Sequence, residues 1–261
     1  MNCLVCENLY VEFNDKAILK NINVAIEKGK ITCILGQNGC GKTTLLKAIC
    51  GSVKLKSGQV TLYGKNIKKI KPRELSKTLS FLTQQRNLIS DLKVEDLVRY
   101  GRYTHRKIFY RRNNEDEKII NWAMEKAKIN HLRHRYLNNL SGGECQRVWI
   151  AMALAQKTEI LILDEPTTFL DVSHQLEILQ LVNELNLKEN LTVIMVLHDI
   201  NEAARYCDNA ILMKNGEVYK QGKFTEIMDD YALNEVFNIS AERIRHEDIK
   251  KEIYYPLKTI R

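Results

Sequence analysis

Proline is scarce in this sequence, with 3 residues in 261, and no low-complexity tract or Gly/Ser-rich linker interrupts the chain. This composition argues against long disordered linkers. Hydrophobic residues make up 44% and charged residues 28%, which is ordinary for a globular chain with ample core.

Long apolar runs are also missing. No run approaches the roughly 18 residues that a membrane-spanning helix needs. The first residues, Met1 to Glu7, carry neither the basic stretch nor the apolar stretch of a signal peptide. We therefore expect a cytoplasmic protein that is at most peripheral to a membrane.

The seven cysteines do not have the spacing of a disulfide framework in a chain of this length, and we expect buried, reduced thiols. Cys3 and Cys6 form a lone C-x-x-C in a segment of strand-like alternation. A metal or redox site would need a second pair or a helix N-terminus. This pair is therefore predicted to be structural.

The formal net charge is +8, which permits a nucleic acid, an anionic lipid surface or an acidic protein as partner. Basic residues cluster at 65–73 and at 102–112. Charge clusters are usually solvated faces, and neither of these contains an RNA-binding signature.

Alternating strands and helices along the chain predict an α/β fold with a mostly parallel sheet and helices on both faces. The start, 3–25, alternates as a β-hairpin and adds an antiparallel part. Residues from about 86 onward are charged and helix-periodic, which indicates an inserted helical subdomain. Asn215-Gly216 predicts a two-residue hairpin turn. The tail from 230 is predicted to hold a short helix and a strand near Tyr255, without an assignable role.

Residues 36–44 (GQNGCGKTT) fit the phosphate-binding P-loop, G-x-x-x-x-G-K-[ST]. They follow a short apolar strand at 31–35 and precede a helix, which is the context that the motif requires. Glycines let the backbone wrap closely around a polyphosphate, and amides at the helix N-terminus point at the anion. Lys42 is suited to reach the β- and γ-phosphates, and the Thr43 hydroxyl is suited to bind Mg²⁺. Cys40 lies at the helix N-terminus beside Lys42, which predicts a lowered thiol pKa.

Three further strands end in polar side chains. The strand 160–163 ends at Asp164 and Glu165, which are suited to hold Mg²⁺ and to polarise an attacking water. His198 ends the strand 191–197 and is suited to contact a γ-phosphate. Gln84 ends the strand 79–83 and is apt for orienting water or touching Mg²⁺. Ligands sit at the carboxyl ends of strands in open α/β sheets, which favours a functional role over a simple turn.

Ser141-Gly142-Gly143 opens a helix at 143–156 and makes a second candidate anion site. The alternative is an ordinary helix cap, because serine is a good N-cap. One chain does not need two phosphate cradles for one nucleotide. Two chains that face each other head to tail would use both.

Together these motifs resemble those of the ATP-binding subunits of ABC transporters. Leu140-Ser141-Gly142-Gly143 is similar to the signature motif of that family, 168–171 (TFLD) to its D-loop, Gln84 to its glutamine loop and His198 to its switch histidine. The resemblance covers nearly the whole chain except the last 25 or so residues.

The resemblance implies a P-loop NTPase fold of the ABC type. We predict a single ATPase domain at 1–240, with a RecA-like core at 1–85 and 150–240, an inserted helical subdomain at 86–149, and a tail at 241–261. It also implies ATP and Mg²⁺ as cofactors, and an ATP-sandwich dimer in which Ser141 and Gly143 complete the opposite site.

The predicted site residues fall into three groups. The catalytic candidates are Glu165, His198, Gln84 and Lys42. The nucleotide-binding candidates are Phe13, Gly36, Asn38, Gly39, Cys40, Gly41, Lys42, Thr43, Thr44, Ser141, Gly142, Gly143 and Asp171. The metal-binding candidates are Thr43, Gln84 and Asp164. Phe13 lies where the family places an aromatic ring on adenine, and alternation puts Tyr10 on the other face of the strand.

A finer resemblance concerns 97–105 (LVRYGRYTH), which is similar to a segment of importer ATPases for ferric siderophores, haem and cobalamin. Thr104 replaces a proline that is frequent there. The resemblance implies permease subunits as partners, a substrate-binding protein indirectly, and a location on the inner face of the cell membrane. The alternatives are the ATPase of an exporter, and a soluble ABC-type ATPase acting on nucleic acid or ribosomes. The latter is disfavoured because the chain has one cassette and a short insertion, so no nucleic acid is expected.

Overall fold

The computed structural model describes residues 1–84, 91–105, 114–246 and 251–260. The strands are β1 (Asn2–Phe13), β2 (Lys16–Glu27), β3 (Ile31–Gly36), β4 (Ser57–Leu62), β5 (Lys65–Asn66), β6 (Leu79–Leu82), β7 (Ile160–Asp164), β8 (Thr192–Val196), β9 (Asn209–Lys214), β10 (Glu217–Lys223), β11 (Ile239–His246) and β12 (Lys251–Thr259). The helices are α1 (Lys42–Ile49), α2 (Pro72–Thr78), α3 (Val94–Tyr100), α4 (Asn114–Lys126), α5 (Gly142–Ala155), α6 (Val172–Glu189), α7 (Ile200–Tyr206), α8 (Phe224–Ile227) and α9 (Asp230–Phe237). The predicted α/β fold is confirmed.

The chain forms two compact units, residues 1–70 with 190–261, and residues 71–189. Compactness does not show where an inserted subdomain begins, so the domain boundaries predicted from the sequence stay a prediction. Residues 106–112 of the second basic cluster lie outside the described residues. Among the helices that the structure describes, none combines the length and apolar character that a bilayer crossing requires.

An antiparallel sheet in the order β2-β1-β4-β5 forms part of the first unit. Asn14 and Asp15 both have left-handed backbone conformations, with φ of 47° and 61°, and pair Phe13 with Lys16 across a tight turn. Side chains of this type tolerate left-handed backbone, and such a turn matches the twist of a hairpin. The predicted N-terminal hairpin is thus present, and it places Phe13 at the end of β1.

The first unit also contains the strands β10-β9-β3-β8 in that order, with β9, β3 and β8 parallel and β10 antiparallel to β9. Every residue of β3 and β8 is buried, which explains their continuous apolar and β-branched sequences. Asn215 and Gly216 form the predicted turn, with φ of 50° and 84°. Because β3 and β8 are parallel neighbours, the segments that follow them leave the same edge of the sheet.

In the second unit, β6 and β7 pair in parallel, and the helices include α3, α4, α5 and α6. The helical period in the sequence of α6 would place Val172 on the apolar stripe of this helix. That residue is instead 71% exposed, and the buried side chains of α6 begin at Ile178. Val172 is the first residue of α6. It fits the 3.6-residue period of the helix, but no buried side chains of the core lie beside it.

The tail forms a hairpin of β11 and β12 rather than a lone strand. Asn201, near the start of α7, joins the hairpin to the first unit through its side-chain amide. Its oxygen accepts from the backbone N–H of Tyr254 at 2.7 Å, and its nitrogen donates to the Tyr254 carbonyl at 3.1 Å. The Tyr254 ring is 2% exposed and meets the ring of Phe224 edge to face. The tail is therefore a packed part of this unit.

Candidate active site

The P-loop lies between β3 and α1, where two glycines are required for different reasons. Gly36 has φ of 150°, and a side chain there would lie 2.8 Å from the Cys40 sulfur and closer still to the Met213 carbonyl. Gly41 precedes α1 with φ of 105°, and a side chain would meet Leu19 at 2.8 Å. Residues 37–39 are exposed between them. The two glycines therefore let the loop pack closely against Leu19, Met213 and the Cys40 sulfur, while residues 37–39 stay exposed.

The Lys42 side chain is held against this loop. It is 6% exposed, and its ammonium donates to the carbonyls of Gly36 at 2.8 Å and Gln37 at 3.0 Å. A buried ammonium needs such partners. The positive charge of Lys42 is thus fixed beside the N-terminus of α1. The helix dipole also favours anions at this end. The arrangement suits the binding of a polyanion.

The thiol of Cys40 departs from the sequence-based prediction. Cys40 is 6% exposed, and burial raises its thiol pKa despite the lowering effects of the Lys42 charge and nearby backbone N–H groups. The prediction of a lowered pKa was wrong because proximity in sequence does not reveal how much solvent the sulfur loses.

Glu165 is held at the carboxyl end of β7 by two side chains. One carboxylate oxygen accepts from the Gln84 amide, which follows the neighbouring strand β6, and from the Thr168 hydroxyl at 3.1 Å. The Glu165 backbone is left-handed, with φ of 50°. The adjacent Asp164 is 2% exposed. The structure thus brings Gln84 and both carboxylates to one edge of a parallel strand pair, as the sequence predicts.

His198 follows β8 and is exposed, on the same sheet edge as the P-loop. The next residue, Asp199, accepts from the backbone N–H groups of Asn201 at 2.6 Å and Glu202 at 3.2 Å. It is therefore the N-cap of α7, and the chain direction beyond His198 is set by this cap.

The segment Ser141-Gly142-Gly143 begins α5 with a capping box. The Ser141 hydroxyl accepts from the Glu144 backbone N–H at 3.2 Å, and the Glu144 carboxylate accepts from the Ser141 backbone N–H at 2.8 Å. The bond from the Ser141 backbone N–H lowers the pKa of the Glu144 carboxyl. Ser141 therefore does cap α5, as the alternative interpretation expects. The N-terminus of the helix is nevertheless exposed at Ser141 and Gly142.

Asp171 precedes α6 and is bonded several times. Its Oδ1 accepts from the Ser173 hydroxyl at 2.8 Å and the His174 backbone N–H at 3.0 Å. The first-turn bonds hold the pKa of Asp171 well below its usual range.

Phe13, the predicted adenine platform, is 49% exposed, whereas Lys56 covers the ring of Tyr10 at 5.5 Å. Of these two rings, Phe13 is the accessible one.

The chain matches the family model described as ABC transporter over residues 19–168. It is 45% identical to the iron(3+)-hydroxamate import ATP-binding protein FhuC of Bacillus subtilis, over 97% of this chain and 94% of that protein. This chain belongs to the ABC transporter ATP-binding family. Membership makes it an ATPase that binds ATP.

Two further similarities agree. The ferric enterobactin transport ATP-binding protein FepC of Escherichia coli is 38% identical over 89% of this chain and 86% of its own. A metal-chelate type ABC transporter solved in an inward-facing conformation aligns with a TM-score of 0.86 at 27% identity, covering 99% of this chain and 98% of that chain. The predicted ABC-type ATPase fold is confirmed.

Sequence reasoning missed what 101–105 do, because it treated the basic residues there as a solvated face. Arg102 is 6% exposed and donates to the Asp116 carboxylate at 2.7 Å and to the Ala155 carbonyl at 2.9 Å, at the end of α5. The His105 ring bonds the Gln156 carbonyl at 2.8 Å. Gly101 touches the same turn, where a side chain would meet Ala155 at 3.0 Å. The segment therefore caps the C-terminus of α5, the helix that begins after Ser141.

Proposed function

We propose that this chain is the ATPase subunit of an importer for a ferric siderophore. The observation that carries the hydrolytic part is the Glu165 carboxylate, which the Gln84 amide and the Thr168 hydroxyl hold beside the buried Asp164. A fixed carboxylate at a strand end is suited to polarise the attacking water. Relatives named for iron(3+)-hydroxamate and for ferric enterobactin support iron chelates as the class of cargo.

The nucleotide would be held by the P-loop and Phe13. Lys42 and the loop amides would bind the phosphates, and the Phe13 ring would stack on adenine. His198 would contact the γ-phosphate. Thr43, Gln84 and Asp164 offer a hydroxyl, an amide oxygen and a carboxylate, which is a donor set of the oxygen type that Mg²⁺ prefers. The metal would neutralise the charge of the phosphates.

Two copies of the chain would act together. Ser141, Gly142, Gly143 and Asp171 would face the nucleotide of the second copy, so that ATP closes the pair and hydrolysis reopens it. The pair would drive permease subunits in the membrane, with a substrate-binding protein delivering the cargo. This assembly places the chain on the inner face of the cell membrane, with no role for nucleic acid.

The first experiment compares Glu165→Gln with Glu184→Gln, an exposed carboxylate on α6 whose partner is Lys188. We expect Glu165→Gln to bind ATP and to lose hydrolysis by about 10²- to 10⁴-fold, because the water loses its base. The control is expected to hydrolyse ATP as the unmodified chain does. Hydrolysis by Glu165→Gln within threefold of the control would contradict the proposed role.

The second experiment identifies the partners. Tagged Glu165→Gln is recovered from native membranes with ATP. Recovery of a many-helix permease with a substrate-binding protein would support import, and recovery of ribosomes or nucleic acid alone would refute it.

A deletion strain then tests the cargo. The unmodified gene should restore growth on an iron(III)-hydroxamate as sole iron source, and Glu165→Gln should not. Growth of the deletion strain without either gene would contradict this cargo.

A further inference from the structure

His174, in the first turn of α6, lies against the second glycine of the signature segment. A side-chain carbon added to Gly143 would lie 2.6 Å from Cγ of the His174 ring and 3.0 Å from Nε2, and closer still to Cδ2. Gly143 is buried, and its backbone is not left-handed. The glycine is therefore needed for space and not for conformation, and the ring of His174 fills that space.

The same ring contacts Asp171 on its other side. Nδ1 of His174 lies 2.9 Å from Oδ1 and 2.8 Å from Oδ2 of Asp171. The carboxylate is an acceptor only, so Nδ1 carries the proton of this bond. One imidazole thus touches both the Asp171 carboxylate and Gly143, which are 28 residues apart along the chain.

A second contact ties α5 to α6 one turn further along. The Arg147 guanidinium pairs with the Glu177 carboxylate, four residues after Gly143 and three after His174. Because this pair does not involve the ring, substitution of His174 leaves a connection between the helices. The two contacts can therefore be varied separately.

We propose that His174 is a positioning residue for ATP hydrolysis. Its ring sets the spacing between Asp171 and Gly143, so that the D-loop and the signature segment are presented to the nucleotide of a second copy as one rigid surface. The inference rests on the proposed function, in which both segments face that nucleotide. It predicts that loss of the ring impairs closure and turnover, while ATP binding at the P-loop of the same chain is unaffected.

Two substitutions separate the two contacts of the ring. His174→Asn keeps a donor near the position of Nδ1 and removes the rest of the ring. His174→Phe keeps a ring over Gly143 and removes the donor. We expect each to lower kcat by about 10-fold, because misplacement of about 1 Å at a reacting site costs up to about 100-fold. ATP binding to the single chain should change less than twofold. Unaltered kcat in both variants would overturn the proposal.

A double variant gives the decisive test. Gly143→Ala should lower kcat more strongly than either His174 variant, because the new methyl group collides with the ring. Adding His174→Ala removes the obstacle, so Gly143→Ala/His174→Ala should recover at least several-fold over Gly143→Ala. If the double variant is no better than Gly143→Ala, the glycine is required for another reason and the proposal fails.

Glu177→Gln is the matched control, since it weakens the other contact between α5 and α6. It should lower the melting temperature and leave kcat unchanged. Loss of kcat in this control equal to that in the His174 variants would show general loosening of the helices and would overturn the positioning role. Failure of the proposed function itself would look different, because the unmodified chain would then show no ATP hydrolysis that depends on Glu165.

Discussion

Removal of the Arg102 guanidinium is expected to be among the most costly single changes in the second unit. Arg102 and Asp116 are 6% and 9% exposed, and their ion pair at 2.7 Å is supplemented by the bond from Arg102 to the Ala155 carbonyl. Arg102→Met leaves the Asp116 carboxylate buried without its cation. Breaking a buried pair by removing one partner costs about 3–5 kcal/mol.

The magnitude can be checked in three ways. A loss of this size lowers the melting temperature by roughly 6–20 °C for a chain of this length. Arg102→Lys keeps the charge but not the planar fork that reaches both partners, so it should fall between Arg102→Met and the unmodified chain. Arg102→Met/Asp116→Leu should be more stable than Arg102→Met alone, because no buried charge is left unpaired.

The control is Lys188→Met, which removes a cation from the exposed i,i+4 pair with Glu184, whose side chains are 65% and 46% exposed. Exposed pairs of this kind contribute about 0.5 kcal/mol or less. Urea unfolding followed by circular dichroism gives the free energy of unfolding of each variant. The reasoning would be refuted if Arg102→Met lost no more than Lys188→Met.

Three smaller changes test other contacts. The Thr104 hydroxyl is buried and has no hydrogen-bond partner among the residues that the structure describes, so Thr104→Val should raise the free energy of unfolding by about 1 kcal/mol, and a decrease in urea unfolding would contradict this. Asn201→Ala removes both bonds to Tyr254 and should speed amide hydrogen exchange in β12 but not in β3. Mass spectrometry of peptides measures this exchange. If β12 exchanged at the same rate in the variant and in the unmodified chain, the role of this amide would be refuted. The Glu144 carboxyl has a lowered pKa in the folded chain, so its stabilising effect is present above the ordinary value of 4.5 and is lost as the pH falls through the folded-state pKa. Glu144→Gln should therefore melt below the unmodified chain at pH 7, and the gap should narrow as the pH falls below 4.5. A gap independent of pH would show that charge is not involved.

Much of the candidate site could be predicted because its parts are contiguous in the sequence. The P-loop, the capping box at Ser141 and the strand that ends at Asp164 each consist of neighbouring residues. Their residue types specify a turn, a helix start or a buried strand by local rules. The α/β pattern predicted a mostly parallel sheet, but only the structure shows that β6 pairs with β7, which brings Gln84 to Glu165.

Other features could not be predicted, because they depend on residues far apart in the chain. The C-terminal hairpin is anchored by Asn201, which is 53 residues from Tyr254. Val172 fits the helical period but has no core beside it. Periodicity describes an isolated element, and only packing decides which part of its stripe is covered.

The sequence by itself determined an α/β fold with a phosphate-binding P-loop, because glycines and a lysine at fixed spacings act through local backbone geometry, and the resemblance of its motifs to those of ABC transporter subunits implied an ATPase. Only the tertiary structure decided which charges lose contact with water. Arg102 was grouped with exposed basic residues, yet it is buried against Asp116. Cys40 was expected to have a lowered thiol pKa, yet burial raises it. His174, which no motif singled out, lies between Asp171 and Gly143. The loss of solvent around a side chain and its contacts depend on the whole fold, so no short segment of the sequence predicts them.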